Sequence, residues 1–225
     1  MRFVRVAAPL VMLMVCSDPS CALPQNAGKA ATPPPFGQNL LKNSGAEAAT
    51  NDAKKVPGWP QLLGFEVATY GGVAGEWDWG VSGCSTCGKQ YLRLAFEGET
   101  KLLSVSQIVD VSFAAQNIDL GKVTSRIAGQ LGGFVGADTT AQLTVSFQDA
   151  NHKELGVLAT DPYDSAKLPK PTVGSANLIP VEKSGRVPPG TRAIAFMWKA
   201  TAVGDSGSYI ALADNLSLSL TVDEQ

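Results

Sequence analysis

Ala141-Gln142-Leu143-Thr144-Val145-Ser146-Phe147-Gln148 sets Leu143, Val145 and Phe147 against Thr144, Ser146 and Gln148, then runs into Asp149-Ala150-Asn151-His152. An apolar side chain at every second position marks a strand with one buried face. The turn-forming break and the run Leu155-Gly156-Val157-Leu158 beyond it predict a hairpin. Working outward, the same period recurs. Phe65, Val67 and Thr69 alternate with Glu66, Ala68 and Tyr70, and Tyr91, Arg93 and Ala95 oppose Leu92, Leu94 and Phe96. Leu102 to Asp110, Val123 to Phe134, Thr191 to Trp198 and Leu212 to Val222 read as further strands. No eleven-residue stretch carries a helical stripe. Residues 161–190 hold six prolines, and the expectation there is two loops around a short strand at Asn177 to Val181. Short strands punctuated by Gly, Pro, Asn and Asp predict an all-β, antiparallel β-sandwich.

Composition agrees and removes other classes. With 44% hydrophobic and 17% charged residues among 225, the chain has enough apolar surface to offset the entropy of ordering. A formal net charge of −2 lacks the basic footprint that nucleic-acid binding needs.

The opening is organised for export. Arg2 and Arg5 precede the apolar run Val6 to Val15, and Ser20-Cys21-Ala22 supplies small residues for cleavage after Ala22. That run is too short to cross about 30 Å of hydrocarbon as a helix, so no membrane span is expected. Lipidation at Cys16 is the alternative, although bulky Val15 stands where a lipobox carries a small residue. The expected location is secreted, periplasmic or at the cell surface. Residues 1–22 are read as signal peptide, 23–38 as a Pro/Ala-rich linker and 39–225 as one domain.

Of four cysteines, only Cys84 and Cys87 remain after cleavage, in Gly83-Cys84-Ser85-Thr86-Cys87-Gly88. A zinc site needs two more ligands, and His152 is the only histidine. A thioredoxin-like redox pair needs a helix starting at the first cysteine, whereas the residues that follow alternate like a strand. A disulfide stiffening a loop in an oxidising compartment is the favoured reading.

Nucleophilic catalysis of the Ser-His-Asp kind needs a histidine held by a carboxylate. His152, in the polar break after Gln148, reads as an exposed turn residue. A glycoside hydrolase needs only a pair of carboxylates, and no motif singles one out. The informative segment is Tyr70-Gly71-Gly72-Val73-Ala74-Gly75-Glu76-Trp77-Asp78-Trp79-Gly80. If extended, Trp77 and Trp79 project to one side. They either fold back to cap the sandwich or form an aromatic platform, with Glu76 and Asp78 as acceptors for sugar hydroxyls. Trp59 and Trp198 are expected in the core.

The two ends of the domain carry a resemblance. Asn39-Leu40-Leu41-Lys42-Asn43-Ser44-Gly45-Ala46-Glu47, then Val56-Pro57-Gly58-Trp59, resembles the opening of galactose-binding-like jelly rolls. Ala213-Asp214-Asn215-Leu216-Ser217-Leu218 resembles their last strand, and Ser106-Gln107-Ile108-Val109-Asp110 their internal Gln-containing strand. Ser44 and Ala46 stand where many relatives carry Gly and Phe. The resemblance implies a jelly roll whose first and last strands lie side by side, as in many carbohydrate-binding modules. It also implies a structural Ca²⁺ held by Glu47 and Asp214, an ion that takes six to eight hard oxygens.

Three functions follow. The first is an exported, non-catalytic module binding a glycan or cell-surface polysaccharide through Tyr70, Glu76, Trp77, Asp78 and Trp79. The second is a structural or adhesive domain contacting another surface protein. The third is a glycoside hydrolase.

Overall fold

The alternation of Ala141 to Gln148 is realised as a strand whose residues are buried and half-buried in strict turn, Thr139–Gln148. In this computed structural model the described residues are 36–48, 52–71, 81, 86–97, 101–134, 139–164, 176–203 and 208–223. Residues 1–22, expected as a signal peptide, and most of the expected linker lie outside them. So do Glu76, Trp77, Asp78, Trp79 and Cys84.

Ten strands are present among the described residues: β1 Phe65–Thr69, β2 Gln90–Glu97, β3 Leu102–Asp110, β4 Val123–Phe134, β5 Thr139–Gln148, β6 Glu154–Ala159, β7 Tyr163–Asp164, β8 Ala176–Arg186, β9 Ala193–Ala202 and β10 Ser208–Val222. A 3-10 turn, Ser112–Ala114, runs into the five-residue helix α1, Ala115–Asp119. The first sheet has the order β1-β2-β10-β4-β8, the second β3-β9-β5-β6, with β7 also on β5. Every pairing is antiparallel. The fold is an all-β, antiparallel jelly-roll β-sandwich.

The inner faces of the two sheets meet in an aromatic core. Trp59 packs edge-on to Phe65 and Phe196 at 6.0 and 6.3 Å, and Phe65 packs on Trp198 at 6.4 Å. Such geometry aligns ring edges with ring faces and adds to the burial of area. Trp59 and Trp198 are thus core residues, as expected. Between β5 and β6 the turn forms because Asp149 Oδ1 accepts the N–H groups of Asn151 and Lys153, at 2.7 and 3.0 Å. His152 takes a left-handed φ of 62° there and is exposed, as its sequence context indicated.

Two elements differ from the sequence reading. The strand expected at Asn177 to Val181 extends to Arg186, because β4 offers it partners as far as Thr124. The glycines of 129–136 read in the sequence as a bent or bulged strand, where glycine relieves crowding. Instead β4 runs regularly, and the register shift falls on β10 between Asp214 and Ser217. A methyl at Gly129 would lie 2.7 Å from the Leu216 side chain, so the glycine makes room for the irregularity on its neighbour.

The opening segment closes the sandwich. Gly37 N–H donates to Leu220 O and Leu40 N–H to Leu218 O, both at 2.8 Å, while Leu216 N–H reaches Ser44 O at 3.1 Å. The Gln107 side chain ties this segment to β3, accepting from Lys42 N–H at 2.9 Å and donating to Lys42 O at 2.8 Å. First and last segments lie side by side, although 37–44 bonds as an irregular ribbon rather than a regular strand.

Gly64 offers a direct test of these close approaches. Its φ is +83°, and an added methyl would lie 2.0 Å from the Ala95 carbonyl oxygen. Gly64→Ala is expected to destabilise by about 3 kcal/mol, from left-handed strain and overpacking together. Gly37 has the same φ but open space around it, so Gly37→Ala should cost only about 1 kcal/mol. Urea denaturation of the two variants checks the difference, and equal losses would refute it.

Candidate functional site

On β2, Leu92, Leu94 and Phe96 face the core, so Tyr91, Arg93 and Ala95 face outward. An outward face ordinarily meets water, yet Tyr91 and Leu212 are fully buried. They form a second apolar cluster with Val81 and Ile210, against which Ala68, Tyr70, Ala95 and Leu178 pack. The outer side of the first sheet is thus covered over β1, β2 and the start of β10, whereas on β4 and β8 Arg126 and Glu182 stand exposed. Beside it, Arg93 Nε donates to Glu66 Oε1 at 2.7 Å, and the two side chains form an ion pair across β1 and β2.

Tyr70 stands at the edge of this cluster. Its ring lies 4.9 Å from that of Tyr91, tilted by 47°. Its N–H donates to Lys89 O at 3.0 Å, and its hydroxyl donates to Asp214 Oδ2 at 2.7 Å. Asp214 is fully buried, and its Oδ1 accepts the Asn215 N–H at 2.7 Å. Glu47 Oε1 accepts the N–H groups of Lys89 and Gln90, at 2.8 and 2.9 Å. Asn215 Nδ2 donates to Thr86 O at 3.2 Å. Residue 70 and residues 86–90 are therefore clamped by the first-segment acid and the last-strand Asp-Asn pair. Three sequence features, the Tyr70 segment, Glu47 and Asp214, converge on one place. Sequence reading placed the first in a ligand site and the other two in a metal site, with no signal that these adjoin.

The electrostatics follow from burial. Loss of water pushes the Asp214 carboxyl above the usual carboxylate range; the bonds from Tyr70 and Asn215 pull it down, and the negative charge of Glu47 pushes it up again. The Tyr70 phenol is raised well above its ordinary value by burial first, then by its bond to Asp214 and the surrounding negative charge. A proton or a cation relieves the same strain at Asp214.

The residues fit a hard cation. Asp214 and Glu47 enter none of the ion pairs found among the described residues. A methyl built on Gly45 would lie 3.4 Å from Asp214 Oδ1 and 3.6 Å from Asn215 Oδ1, so oxygens gather over a position without a side chain. Among the described residues no cluster of three or more His, Cys, Asp or Glu occurs. Further ligands would therefore be carbonyl and amide oxygens, which suit Ca²⁺. Both carboxylates also have the backbone amide partners of ordinary strand-end acids, so the geometry accommodates either state.

The remaining sequence candidates stand elsewhere or outside the described residues. Cys87 is described and Cys84 is not. A groove of about 610 Å³ runs along β3, between Lys42, Gly58 and Pro60 on one side and Ile108 and Asp110 on the other, apart from the Tyr70 site. Nothing in the sequence had pointed to it. No helix among the described residues is long and apolar enough to cross a membrane.

No family model matches the sequence, and no curated protein matches it. Solved structures share its architecture. The apo form of a cyclase from Fischerella sp. superposes with a TM-score of 0.51 at 12% identity, covering 83% of this chain and 97% of that one. The enzymatically active domain of a bacteriophage tailspike protein gives 0.48 at 11% identity, covering 81% of this chain but only 21% of its own. A carbohydrate-binding module in complex with beta-1,4-galactotriose gives 0.45 at 14% identity, covering 83% and 99%. At such identities the likeness is one of fold.

Replacing Tyr70 by Phe removes the only side-chain donor to Asp214 among the described residues. The loss should be about 1–3 kcal/mol, because the acceptor stays buried. An unchanged denaturation midpoint in Tyr70→Phe would show that the clamp carries no stability.

Proposed function

We propose that this chain is an exported carbohydrate-binding module of the galactose-binding-like kind, and that its work is done by binding rather than catalysis. The observation that carries the reading is the clamp at Tyr70. It anchors one end of the segment bearing Glu76, Trp77, Asp78 and Trp79, beside a covered aromatic cluster on the outer side of the first sheet. Sugar rings present C–H faces that pack on indole, and their hydroxyls need acceptors such as carboxylates. A hydrolase would need two acids open to substrate. The pair that the fold brings near, Glu47 and Asp214, includes one that is fully buried, which disfavours that role.

A glycan-array screen of the protein tests the binding. Trp77→Ala with Trp79→Ala is expected to abolish glycan retention and to leave the thermal midpoint within a few degrees. A large fall in the midpoint with binding intact would place those rings in a structural role and remove the reading.

Under the same proposal Glu47 and Asp214 hold a structural Ca²⁺, and Cys84 pairs with Cys87 to stiffen the loop that follows the tryptophans. When bound, the cation would neutralise two acids and tie the first segment to the last strand, where fraying would begin. Excess Ca²⁺ should raise the thermal midpoint over that in chelator by mass action, and Asp214→Asn should cancel the rise. Identical midpoints, with no metal found by elemental analysis, would retire the ion.

A further inference from the structure

At a sheet edge backbone donors and acceptors run out of partners, and proteins blunt such edges with short strands, bulges, proline or lysine. β1 and β7 have five and two residues. β6 has six and an irregular register against β5, and β8 carries Pro180 and Lys183. β3 has none of these devices. It pairs with β9 over nine consecutive residues without a shift, and it contains no proline, lysine or arginine. Its free edge borders the groove between Lys42, Gly58 and Pro60 on one wall and Ser106, Ile108 and Asp110 on the other.

Hydrogen-bond parity shows what that edge presents. Val111 N–H donates to Arg192 O and Ala202 N–H to Lys101 O, both at 2.9 Å. In an antiparallel ladder alternate residues bond across, so the odd-numbered residues of β3 face β9. Ser104, Ser106 and Ile108 therefore turn their N–H and C=O groups away from the sheet, where they meet no partner among the described residues. The opening segment passes close by without taking that place. Both backbone hydrogen-bonding groups of Lys42 are held by the Gln107 side chain, which keeps the segment one side chain away from β3.

We propose that this groove is a peptide-binding site, in which an extended segment of a partner protein adds to β3 as a further antiparallel strand. The groove is apart from the Tyr70 site, and its occupancy does not depend on the glycan reading. Unpartnered backbone groups at every second residue match the main chain of an extended peptide, which offers donors and acceptors at the same repeat. No aromatic ring lines the groove, and the Trp59 indole beside Gly58 is buried in the core, so a sugar ring has no face to stack on. Lys42 on one wall and Asp110 on the other give charge of both signs, which disfavours a polyanion. Side chains then select the sequence. Directly opposite residues of an antiparallel pair share a face. The peptide residue across from Asp110 is therefore basic, the one across from Ile108, itself 65% exposed, is apolar, and the one across from Ser106 is small. Along the peptide this reads basic-x-apolar-x-small.

The probe is the acetylated and amidated peptide Thr-Arg-Thr-Val-Thr-Ser-Thr, added to the full chain. In hydrogen exchange of the free protein the amides of Val105, Gln107 and Val109 should be protected, while those of Ser106 and Ile108 exchange freely. The peptide should protect the latter two, with a dissociation constant in the range of about 10–300 μM. N-methylation of its valine, whose N–H faces Ile108, should weaken binding at least about tenfold. N-methylation of the threonine before it, whose N–H faces away, should change binding by less than about threefold. Ser106→Pro removes one edge donor and leaves every bond to β9 in place, so it should lose the peptide with the thermal midpoint within a few degrees. The methylated pair reads the same contact without altering the protein. Protection of Ser106 and Ile108 in the free chain would overturn the proposal, because the edge would already be covered. Absence of peptide binding up to about 1 mM would also overturn it, as would equal losses from the two methylations. A dimer of the chain, or retention on polysaccharide, that is abolished by Ser106→Pro would overturn it by giving the edge to another occupant.

Discussion

The closure of the sandwich depends on hydrogen bonds between the opening segment and the last strand. Asn39 is the centre of this junction: its Nδ2 donates to Leu216 O at 2.9 Å, and its Oδ1 accepts the Leu218 N–H at 3.1 Å. β10 lies at the middle of the first sheet, between β2 and β4. The segment from Gly37 to Ser44 lies along the part of β10 that follows its register shift, beyond the end of the β2 pairing. It gives those backbone groups partners that they would otherwise lack, and a buried backbone group without a partner is costly. Gln107 then carries the same segment across to the second sheet. One side-chain amide thus links the layers where the main chain does not.

The clamp around Tyr70 is a product of that closure. Glu47 follows the opening segment directly, and Asp214 sits where the register of β10 shifts. Only because the two ends of the domain are adjacent do these acids share a neighbourhood, where the charge of Glu47 raises the cost of ionising Asp214. The left-handed residues Asn43, Ala46 and Asn215 cluster at the same junction. Backbone strain of this kind persists where surrounding structure over-determines it, commonly around binding sites. Here the over-determination comes from the Trp59 indole, which donates to Asn43 O at 3.1 Å from within the core.

Much of this architecture was legible in the residues. Period-two alternation located β3, β4 and β5 closely, because each has one face on the core and one facing outward. The turn chemistry of Asp149 to His152 marked the hairpin. The motifs at Asn39 and Asp214 anticipated that the ends would adjoin. Local patterns say little about what covers a sheet from outside. Tyr91 alternates with the core-facing Leu92 and reads as part of an ordinary strand, yet it and Leu212 on β10 are fully buried on the outer side. The meeting of Tyr70 with Asp214 joins residues 144 apart in sequence, and no local signal encodes such a pairing. The extension of β8 to Arg186 was hidden for a related reason. Glu182, Lys183 and Ser184 have little strand preference of their own, and β4 supplies the template.

The junction at Asn39 has a kinetic side as well. It joins groups separated by 177 and 179 positions in the chain. A loop of that length must be closed before the contacts that reward closure exist, so topologies of this kind fold in milliseconds to seconds rather than microseconds. During synthesis the opening segment emerges long before its partner, β10. Until β10 arrives, the middle of the first sheet is vacant and the facing edges of β2 and β4 are unpaired. Such edges invite pairing with other chains. The arrangement that seals the finished domain therefore also sets a long interval in which a nascent chain is most open to aggregation, and most suited to being held unfolded by a chaperone.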